Sequence, residues 1–101
     1  MLMSAADYRE SLRRLHPVVH VDGRRIESVA DEPALAPGIN AIGVSYDFAL
    51  RESTQALMRA EVSDFDGPIN RMLAMPRSSA DLLNKLEAVR LVCQETGCAQ
   101  R

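Results

Sequence analysis

The chain has 101 residues, of which 47 % are hydrophobic and 26 % are charged, and its formal net charge at neutral pH is −2. This composition is that of a folded domain with a single core and excludes a disordered tail. The small negative charge gives no general attraction to phosphate backbones or anionic lipids, so the sequence predicts neither a nucleic-acid partner nor a membrane partner.

The N-terminal stretch MLMSAADYRESLRRL lacks the apolar run of a signal peptide, and no part of the chain approaches the roughly 20 apolar residues of a membrane span. The two cysteines fit a reducing compartment, where a structural disulfide is not expected. The sequence therefore predicts a cytoplasmic protein.

The first predicted element is a helix. Ser4 followed three residues later by Asp7 has the spacing of a capping box, and Pro17 is expected to end the helix. Its expected apolar stripe, at helical spacing, is Ala5, Tyr8, Leu12 and Leu15.

A β-hairpin is predicted next, because Asp22-Gly23 between two β-rich runs is typical of a two-residue turn. Such a turn places Val21 opposite Arg24, His20 opposite Arg25 and Val19 opposite Ile26. We therefore expect the two valines and Ile26 to share the apolar face, with His20 on the wetter face.

A second helix is predicted after a short proline-bounded turn. Asp31 is the expected cap, and Pro37 is expected at the first helical position, where a missing N–H is tolerated. Ile39, Ile42, Tyr46 and Leu50 form the expected apolar stripe.

A second, less regular hairpin is predicted around the turn rich in Asp, Gly and Pro at residues 64–68. Met58, Ala60 and Val62 alternate before this turn, and Ile69 begins the return. The three methionines of this region, Met58, Met72 and Met75, are interpreted as gap-filling core or interface residues.

The last predicted helix starts where Ser78 and Asp81 repeat the capping-box spacing, and it continues without proline to the end of the chain. Its expected buried seam is Leu82, Leu86, Val89 and Cys93. Cys98 would lie about 140° from Cys93 on a regular helix, so we expect the two thiols to form neither a disulfide nor a local metal site.

The residues alone reveal no complete active site. The chain has no Gly-rich phosphate loop, no catalytic order of Ser, His and Asp, and no Cys-x-x-Cys pair. His16, His20 and Tyr46 are the candidate acid-base groups, but a helix end, a strand surface and a core edge explain them better.

Three consecutive stretches, DYRESLRRL, VVHVDGRRIESVADEPALAPGINAIGVSYDFA and INRMLAMPRSSADLLNKLEAVRLVCQETGCAQR, cover nearly the whole chain. Together they resemble the N-terminal segment of the 4-hydroxyphenylacetate 3-hydroxylase family, whose other branch includes 4-hydroxybutyryl-CoA dehydratase (vinylacetyl-CoA isomerase). The resemblance lies in the order of a helix, a V-x-V-x-G-x-x-I hairpin, a D-x-P turn, a Y-D helix and an S-x-x-D-L helix start.

The fold that this resemblance implies is mainly α with two small β-hairpins, as in the N-terminal helical domain of the acyl-CoA-dehydrogenase-like fold. Residues 1–101 are expected to form this single domain, without the β domain and the C-terminal bundle of the longer family members. The implied partners are the remainder of the enzyme or other copies in a homotetramer, and a flavin reductase.

The implied function is the N-terminal portion of a flavin-dependent aromatic monooxygenase, which forms part of the flavin and substrate cleft without a complete catalytic set. FAD or FADH2 is the cofactor of the full-length family. One alternative is the N-terminal portion of a 4-hydroxybutyryl-CoA dehydratase-like enzyme with flavin and a [4Fe-4S] cluster, toward which the overall match leans. The other alternative is a non-catalytic helical interaction module. The chain alone is expected to be inactive and to bind no cofactor stably.

The two branches imply different roles for Cys98. In a dehydratase-like protein, the resemblance makes Cys98 a ligand of the [4Fe-4S] cluster, with a second cysteine four residues later at position 102. In the other branch Cys98 is a free thiol. Arg90 also matches an arginine of the dehydratase, although an ion pair on the helix surface explains it equally well.

Overall fold

The computed structural model describes residues 2–97, and about half of them are helical, with two small antiparallel sheets. This confirms the mainly α fold class with two hairpins. In chain order the elements are α1 (Ala5–Arg13), β1 (His20–Val21), β2 (Arg24–Arg25), α2 (Ala36–Leu50), α3 (Gln55–Met58), β3 (Arg59–Glu61), β4 (Pro68–Asn70), a 3₁₀ turn (Arg71–Leu73) and α4 (Ser79–Thr96).

Helix α1 begins with the predicted capping box. The Ser4 hydroxyl accepts a hydrogen bond from the Asp7 backbone N–H at 3.1 Å, and the Asp7 carboxylate accepts one from the Ser4 N–H at 3.0 Å. Hydrogen bonding to the Asp7 carboxylate, first from the Ser4 backbone N–H and then from the Ser4 side chain, lowers the pKa of Asp7 because it stabilises the charged form. The helix ends at Arg13, well before Pro17, so the prediction that Leu15 belongs to the apolar stripe is wrong and Leu15 is exposed.

The first hairpin has the predicted register. His20 pairs with Arg25 and Val21 with Arg24, and the Ile26 N–H donates to the Val19 carbonyl at 2.8 Å. Both turn residues have positive φ, 52° at Asp22 and 77° at Gly23, as a two-residue turn of this kind requires. Ile26 is buried, whereas His20 and Arg25 are exposed, so the predicted faces are also confirmed.

Helix α2 starts as predicted around Pro37, but without a side-chain cap. Leu35 occupies the capping position and makes no side-chain hydrogen bond to the helix. The prediction that Asp31 caps α2 is wrong. Its carboxylate instead accepts hydrogen bonds from the Arg13 guanidinium, at 2.8 Å from Nη2, and from the Ser28 hydroxyl at 2.8 Å, which ties the loop before α2 to α1.

The buried face of α2 also differs from the predicted stripe. Ile39 is buried and Tyr46 is half-buried, but Ile42 and Leu50 are exposed. Helix α2 packs against α1 on one side and against α3 and α4 on another, and small residues permit these close contacts. The buried residues of α2 are Ile39, Ala41, Gly43, Ser45, Phe48 and Ala49.

The second hairpin forms as predicted, with Ala60 opposite Ile69 in an antiparallel pair. Met58 is completely buried and Met72 packs against the core, which confirms two of the three methionine predictions. Met75 is highly exposed, so of the two roles predicted for it only an interface role is compatible with the structure.

The main core lies between α2, α3 and α4. Its fully buried members are Phe48, Ala49, Met58, Ala88 and Val92, and the partly buried residues around them are Leu2, Val44, Leu57, Met72 and Leu91. A smaller cluster in the second hairpin contains Ala60, Ile69 and Ala74, with Val62 against it. No described helix is both long and apolar enough to cross a membrane.

Helix α4 starts at the predicted cap and stops before the end of the chain. The Ser78 hydroxyl accepts a hydrogen bond from the Asp81 N–H at 3.0 Å. At the other end Gly97 adopts a left-handed conformation, with φ 62° and ψ 38°, and its N–H donates to the Cys93 carbonyl. The expectation of an uninterrupted helix to the last residue is therefore wrong. Gly97 ends α4 in a left-handed backbone conformation, which residues with a side chain adopt only at an energetic cost.

Candidate functional site: an apolar face on the last helix

The face of α4 that contacts the main core is narrow and carries small side chains. Ala88 and Val92 are fully buried against the main core. One turn earlier, Lys85 extends its side chain to the Ala74 carbonyl, with a donor-acceptor distance of 2.8 Å, and Asp81 is half-buried. The inward row, half-buried at its start and fully buried further on, is therefore Asp81, Lys85, Ala88 and Val92, each one residue before a member of the predicted seam.

The predicted seam itself lies about 100° around the helix from the core, since one residue of an α-helix turns by that angle. Leu82 is 50 % exposed and Leu86 is 57 % exposed, while Val89 and Cys93 are only half-buried. The prediction of a buried seam is thus wrong. The four side chains do share one face, but that face borders solvent.

Leu83 widens this apolar surface and was missed by the sequence analysis. It is 66 % exposed, on the side of α4 away from the core. Consecutive helix residues point about 100° apart, so Leu82 and Leu83 cannot both face one narrow core. This pair of leucines was the sequence signal that part of the apolar surface of α4 is exposed. We refer to Leu82, Leu83 and Leu86 as the outer leucine face.

Three exposed apolar side chains lie in the second hairpin and in the segment between it and α4. Phe65, Leu73 and Met75 are 58 %, 67 % and 75 % exposed, and all three line one groove. Met75 also lines a neighbouring cleft of about 30 Å³ together with Asp81 and Lys85 of α4. We call these three residues the hairpin shoulder; of them, Met75 reaches the first turns of α4, on the inward side that carries Asp81 and Lys85.

No residues within 2–97 form a metal site. No group of three or more His, Cys, Asp or Glu side chains in this part of the chain is placed to hold an ion. Cys93 is a free, half-buried cysteine on α4. Cys98, the candidate cluster ligand, lies outside the described residues. A [4Fe-4S] cluster needs four ligands, so the described residues do not fit one by themselves.

The described residues also do not enclose a flavin. The cleft of about 30 Å³ between the second hairpin and α4 holds little more than one water molecule. The larger depressions, of about 480, 360 and 180 Å³, are open to solvent rather than enclosed. The other depressions are shallow surface features lined mainly by charged residues or by the hairpin shoulder.

The candidate acid-base groups are not assembled into a site. His16 and His20 are exposed, and neither side chain has a hydrogen-bond or ion-pair partner among residues 2–97. Tyr46 stacks on Tyr8 of α1 with ring centroids 4.8 Å apart, which joins α1 to α2. Burial raises the pKa of Tyr8, and the neighbouring Tyr46 adds to this effect.

Arg90 forms an ion pair with Glu87 on the exposed surface of α4. Its Nε lies 3.0 Å from the Glu87 carboxylate, and this hydrogen bond lowers the pKa of Glu87. A surface ion pair therefore accounts for Arg90 within the described structure.

The fold defines the class of protein: an N-terminal helical domain of the acyl-CoA-dehydrogenase-like type, whose last helix keeps an apolar side toward solvent. The family model described as "4-hydroxyphenylacetate 3-hydroxylase N terminal" matches residues 4–101. The chain belongs to this family.

Relatives of both branches are similar to the chain. It is 36 % identical over 102 aligned residues to a 4-hydroxybutyryl-CoA dehydratase/vinylacetyl-CoA-Δ-isomerase of Clostridium aminobutyricum, covering 100 % of the chain and 21 % of that protein. An oxygen-tolerant archaeal 4-hydroxybutyryl-CoA dehydratase from N. maritimus superposes with a TM-score of 0.85 at 36 % identity, covering 96 % of this chain and 19 % of that one.

A mutant of HpaB complexed with FAD superposes with a TM-score of 0.75 at 17 % identity, covering 92 % of this chain and 19 % of that one. At this identity the likeness shows the fold alone. The chain spans about a fifth of the length of each of these relatives.

Proposed function

We propose that this chain is the N-terminal portion of a flavin-dependent enzyme, and that this enzyme is 4-hydroxybutyryl-CoA dehydratase-like. The observation that carries the proposal is the 36 % identity to dehydratases from two organisms, over essentially the whole chain, against 17 % identity to HpaB. The backbone similarity has the same order, with TM-scores of 0.85 and 0.75.

Within such an enzyme, residues 1–101 form one domain that supplies a wall of the flavin and substrate cleft. The remaining polypeptide supplies the β domain, the C-terminal bundle and the catalytic groups, and a homotetramer completes the assembly. This division is supported by the share of the dehydratase relatives that the chain covers, 21 % and 19 %.

The proposed cofactors are FAD and, on the dehydratase side, a [4Fe-4S] cluster. This chain would give the cluster Cys98, whereas Cys93 is a half-buried free thiol on α4 that the resemblance does not assign to the cluster. The other ligands then belong to the remaining polypeptide.

A phenol hydroxylase is the second candidate. It is favoured by the description of the matching family and by the shared fold of the FAD-complexed HpaB mutant. A hydroxylase of this type would receive reduced flavin from a separate reductase, which makes that reductase a further proposed partner.

Expression of the complete reading frame that contains this chain tests the proposal. We expect the purified protein to be yellow, with flavin absorbance, and to convert 4-hydroxybutyryl-CoA under anaerobic conditions. A protein that never takes up flavin contradicts both candidates. Hydroxylation of 4-hydroxyphenylacetate with oxygen and a flavin reductase, without turnover of the CoA ester, would replace the dehydratase by the hydroxylase.

A further inference from the structure

The same dipeptide, Asp-Gly, occurs in both hairpin turns of the chain. Asp22-Gly23 forms the turn of the first hairpin, and Asp66-Gly67 lies directly before β4 in the second. These residues are all exposed, and neither carboxylate has a hydrogen-bond or ion-pair partner among residues 2–97. The two dipeptides are therefore chemically alike and differ in how the surrounding backbone holds them.

An Asp-Gly dipeptide can rearrange without a cofactor or an oxidant. The glycine nitrogen attacks Cγ of the preceding aspartic acid, and the new N–Cγ bond closes a succinimide ring. The amide hydrogen and the carboxyl hydroxyl leave together as water. Water then adds to either carbonyl of the ring, which gives aspartate or isoaspartate, whose main chain runs through the side-chain methylene. Glycine favours the attack because it has no Cβ beside the nitrogen.

The first hairpin opposes this reaction at Asp22. A two-residue turn of this kind holds ψ of its first residue near about +30°, which directs the next backbone nitrogen away from the Asp22 side chain. The observed φ angles, 52° and 77°, belong to such a turn, and Val21 pairs with Arg24 across it. Rotation of the Asp22-Gly23 peptide toward Cγ would therefore break this pairing. Arg24 is also held from outside the hairpin, 3.0 Å from the Glu32 carboxylate.

The second turn restrains its Asp-Gly dipeptide less. Residues 62–67 connect β3 to β4, and Phe65 donates to the Val62 carbonyl at 3.3 Å, longer than the usual range of about 2.7 to 3.2 Å. Neither the Asp66 carboxylate nor the Gly67 N–H has a hydrogen-bond partner within the described part of the chain. Asp66 can therefore rotate toward the reactive geometry without losing a hydrogen bond of its own.

We propose that Asp66-Gly67 is a site of spontaneous isoaspartate formation in the folded protein, and that the first hairpin protects Asp22-Gly23. At position 66 the added main-chain methylene lengthens an irregular surface loop, a change that folds tolerate well. The same loop carries Phe65 of the hairpin shoulder, so the modification alters this exposed apolar surface.

Comparison of folded and urea-unfolded protein tests the proposal. The complete polypeptide that contains this chain is incubated in both states at neutral pH, and isoaspartate is located by peptide mapping and by labelling with an isoaspartyl methyltransferase. In the folded protein we expect isoaspartate to form at residue 66 about ten-fold or more faster than at residue 22. In urea, where neither turn persists, the two rates should be similar.

Three outcomes overturn the proposal. They are equal rates at the two residues in the folded protein, no isoaspartate at residue 66, and a preference for residue 66 that persists unchanged in urea. The last outcome would assign the preference to the neighbouring sequence and not to the fold.

Two conservative substitutions in the same loop give a matched control. Asp66→Glu keeps the charge but would need a larger ring, so the folded variant should form no isoaspartate in this loop. Asp64→Glu also keeps its charge and is not followed by glycine, so it should leave the rate at residue 66 unchanged. An undiminished signal in Asp66→Glu, or its loss in Asp64→Glu, overturns the proposal.

Discussion

Gly43 of α2 lies so close to Ala5 of α1 that a Cβ atom added at position 43 would be 2.9 Å from the Ala5 Cβ. The crossing of these two helices therefore depends on a missing side chain. Gly38, in the first turn of α2, has no atom within 4 Å of the corresponding position. The two glycines of one helix thus provide a matched pair for measuring what the helix crossing requires.

We expect Gly43→Ala to lower the free energy of unfolding by about 1 to 2 kcal/mol. The steric cost of the added methyl group, roughly 1 to 3 kcal/mol, exceeds the stabilisation from the higher helix propensity of alanine. Gly38→Ala should instead raise it by about 0.5 to 1 kcal/mol. Urea denaturation of the two variants measures both effects. If Gly43→Ala were as stable as Gly38→Ala, the close approach would have no energetic consequence.

Asn70 connects the second hairpin to α2 inside the protein. Its side-chain amide donates to the Ser45 carbonyl at 2.9 Å, and its oxygen accepts from the Met72 N–H at 2.9 Å. Asn70→Ala should cost about 1 to 3 kcal/mol, since the buried hydrogen bond to the Ser45 carbonyl is lost and the part-buried Met72 N–H loses its partner.

Thermal unfolding of Asn70→Ala beside Asn40→Ala checks this prediction. Asn40 is exposed and accepts a hydrogen bond from Arg9 at the surface, so its replacement should change stability by less than about 0.5 kcal/mol. Equal effects of the two substitutions would mean that the buried bonds of Asn70 contribute nothing special.

The start of α4 can be tested with two adjacent serines. Ser78 is the N-cap, whereas Ser79 is the first helical residue and both are exposed. Ser78→Ala should lower the free energy of unfolding by about 1 kcal/mol, and Ser79→Ala should leave it unchanged or raise it slightly. Circular dichroism during denaturation measures the difference, and a larger loss for Ser79→Ala would contradict the assigned cap.

Asp31 makes stability depend on pH in the acidic range. The Arg13 guanidinium and then the Ser28 hydroxyl, by hydrogen bonding, lower the pKa of Asp31 from 3.8 to about 2. Because the pKa is lower in the folded state, this stabilisation is present above about pH 4 and is lost as the pH falls through about 2. The groups are largely exposed, so the effect is small and weakened by salt.

Asp31→Asn should therefore be less stable than the unsubstituted chain above pH 4, and the difference should shrink toward pH 2. Unfolding midpoints measured at low ionic strength test this. Asp66→Asn serves as the control, since the structure gives Asp66 no ion pair within residues 2–97. A constant difference between Asp31→Asn and the unsubstituted chain across this range would contradict the Asp31 assignment.

The periodic pattern of α4 did not predict which of its sides is buried. The row Leu82, Leu86, Val89 and Cys93 is a genuine helical face, but the core contacts the row one residue earlier. Ala88 and Val92 are small enough to bring α4 against Phe48 and Met58, and larger leucines at those positions would hold the helix away. Hydrophobicity alone favoured the leucines, so it selected the face that borders solvent.

Local features were determined by the sequence itself. The helix starts at Ser4 and Ser78 and the pairing around Asp22-Gly23 follow from hydrogen bonds and backbone angles within a few residues of each other. The order of the motifs along the chain likewise identified the family from the sequence.

Only the tertiary structure decided which sides of α2 and α4 are buried, and that Asp31 joins a loop to α1. These outcomes depend on contacts between residues far apart in the chain, such as Gly43 with Ala5 and Val92 with the main core. The residue pattern of one segment does not show how closely a distant segment packs against it. In this protein the helices approach each other most closely at small side chains.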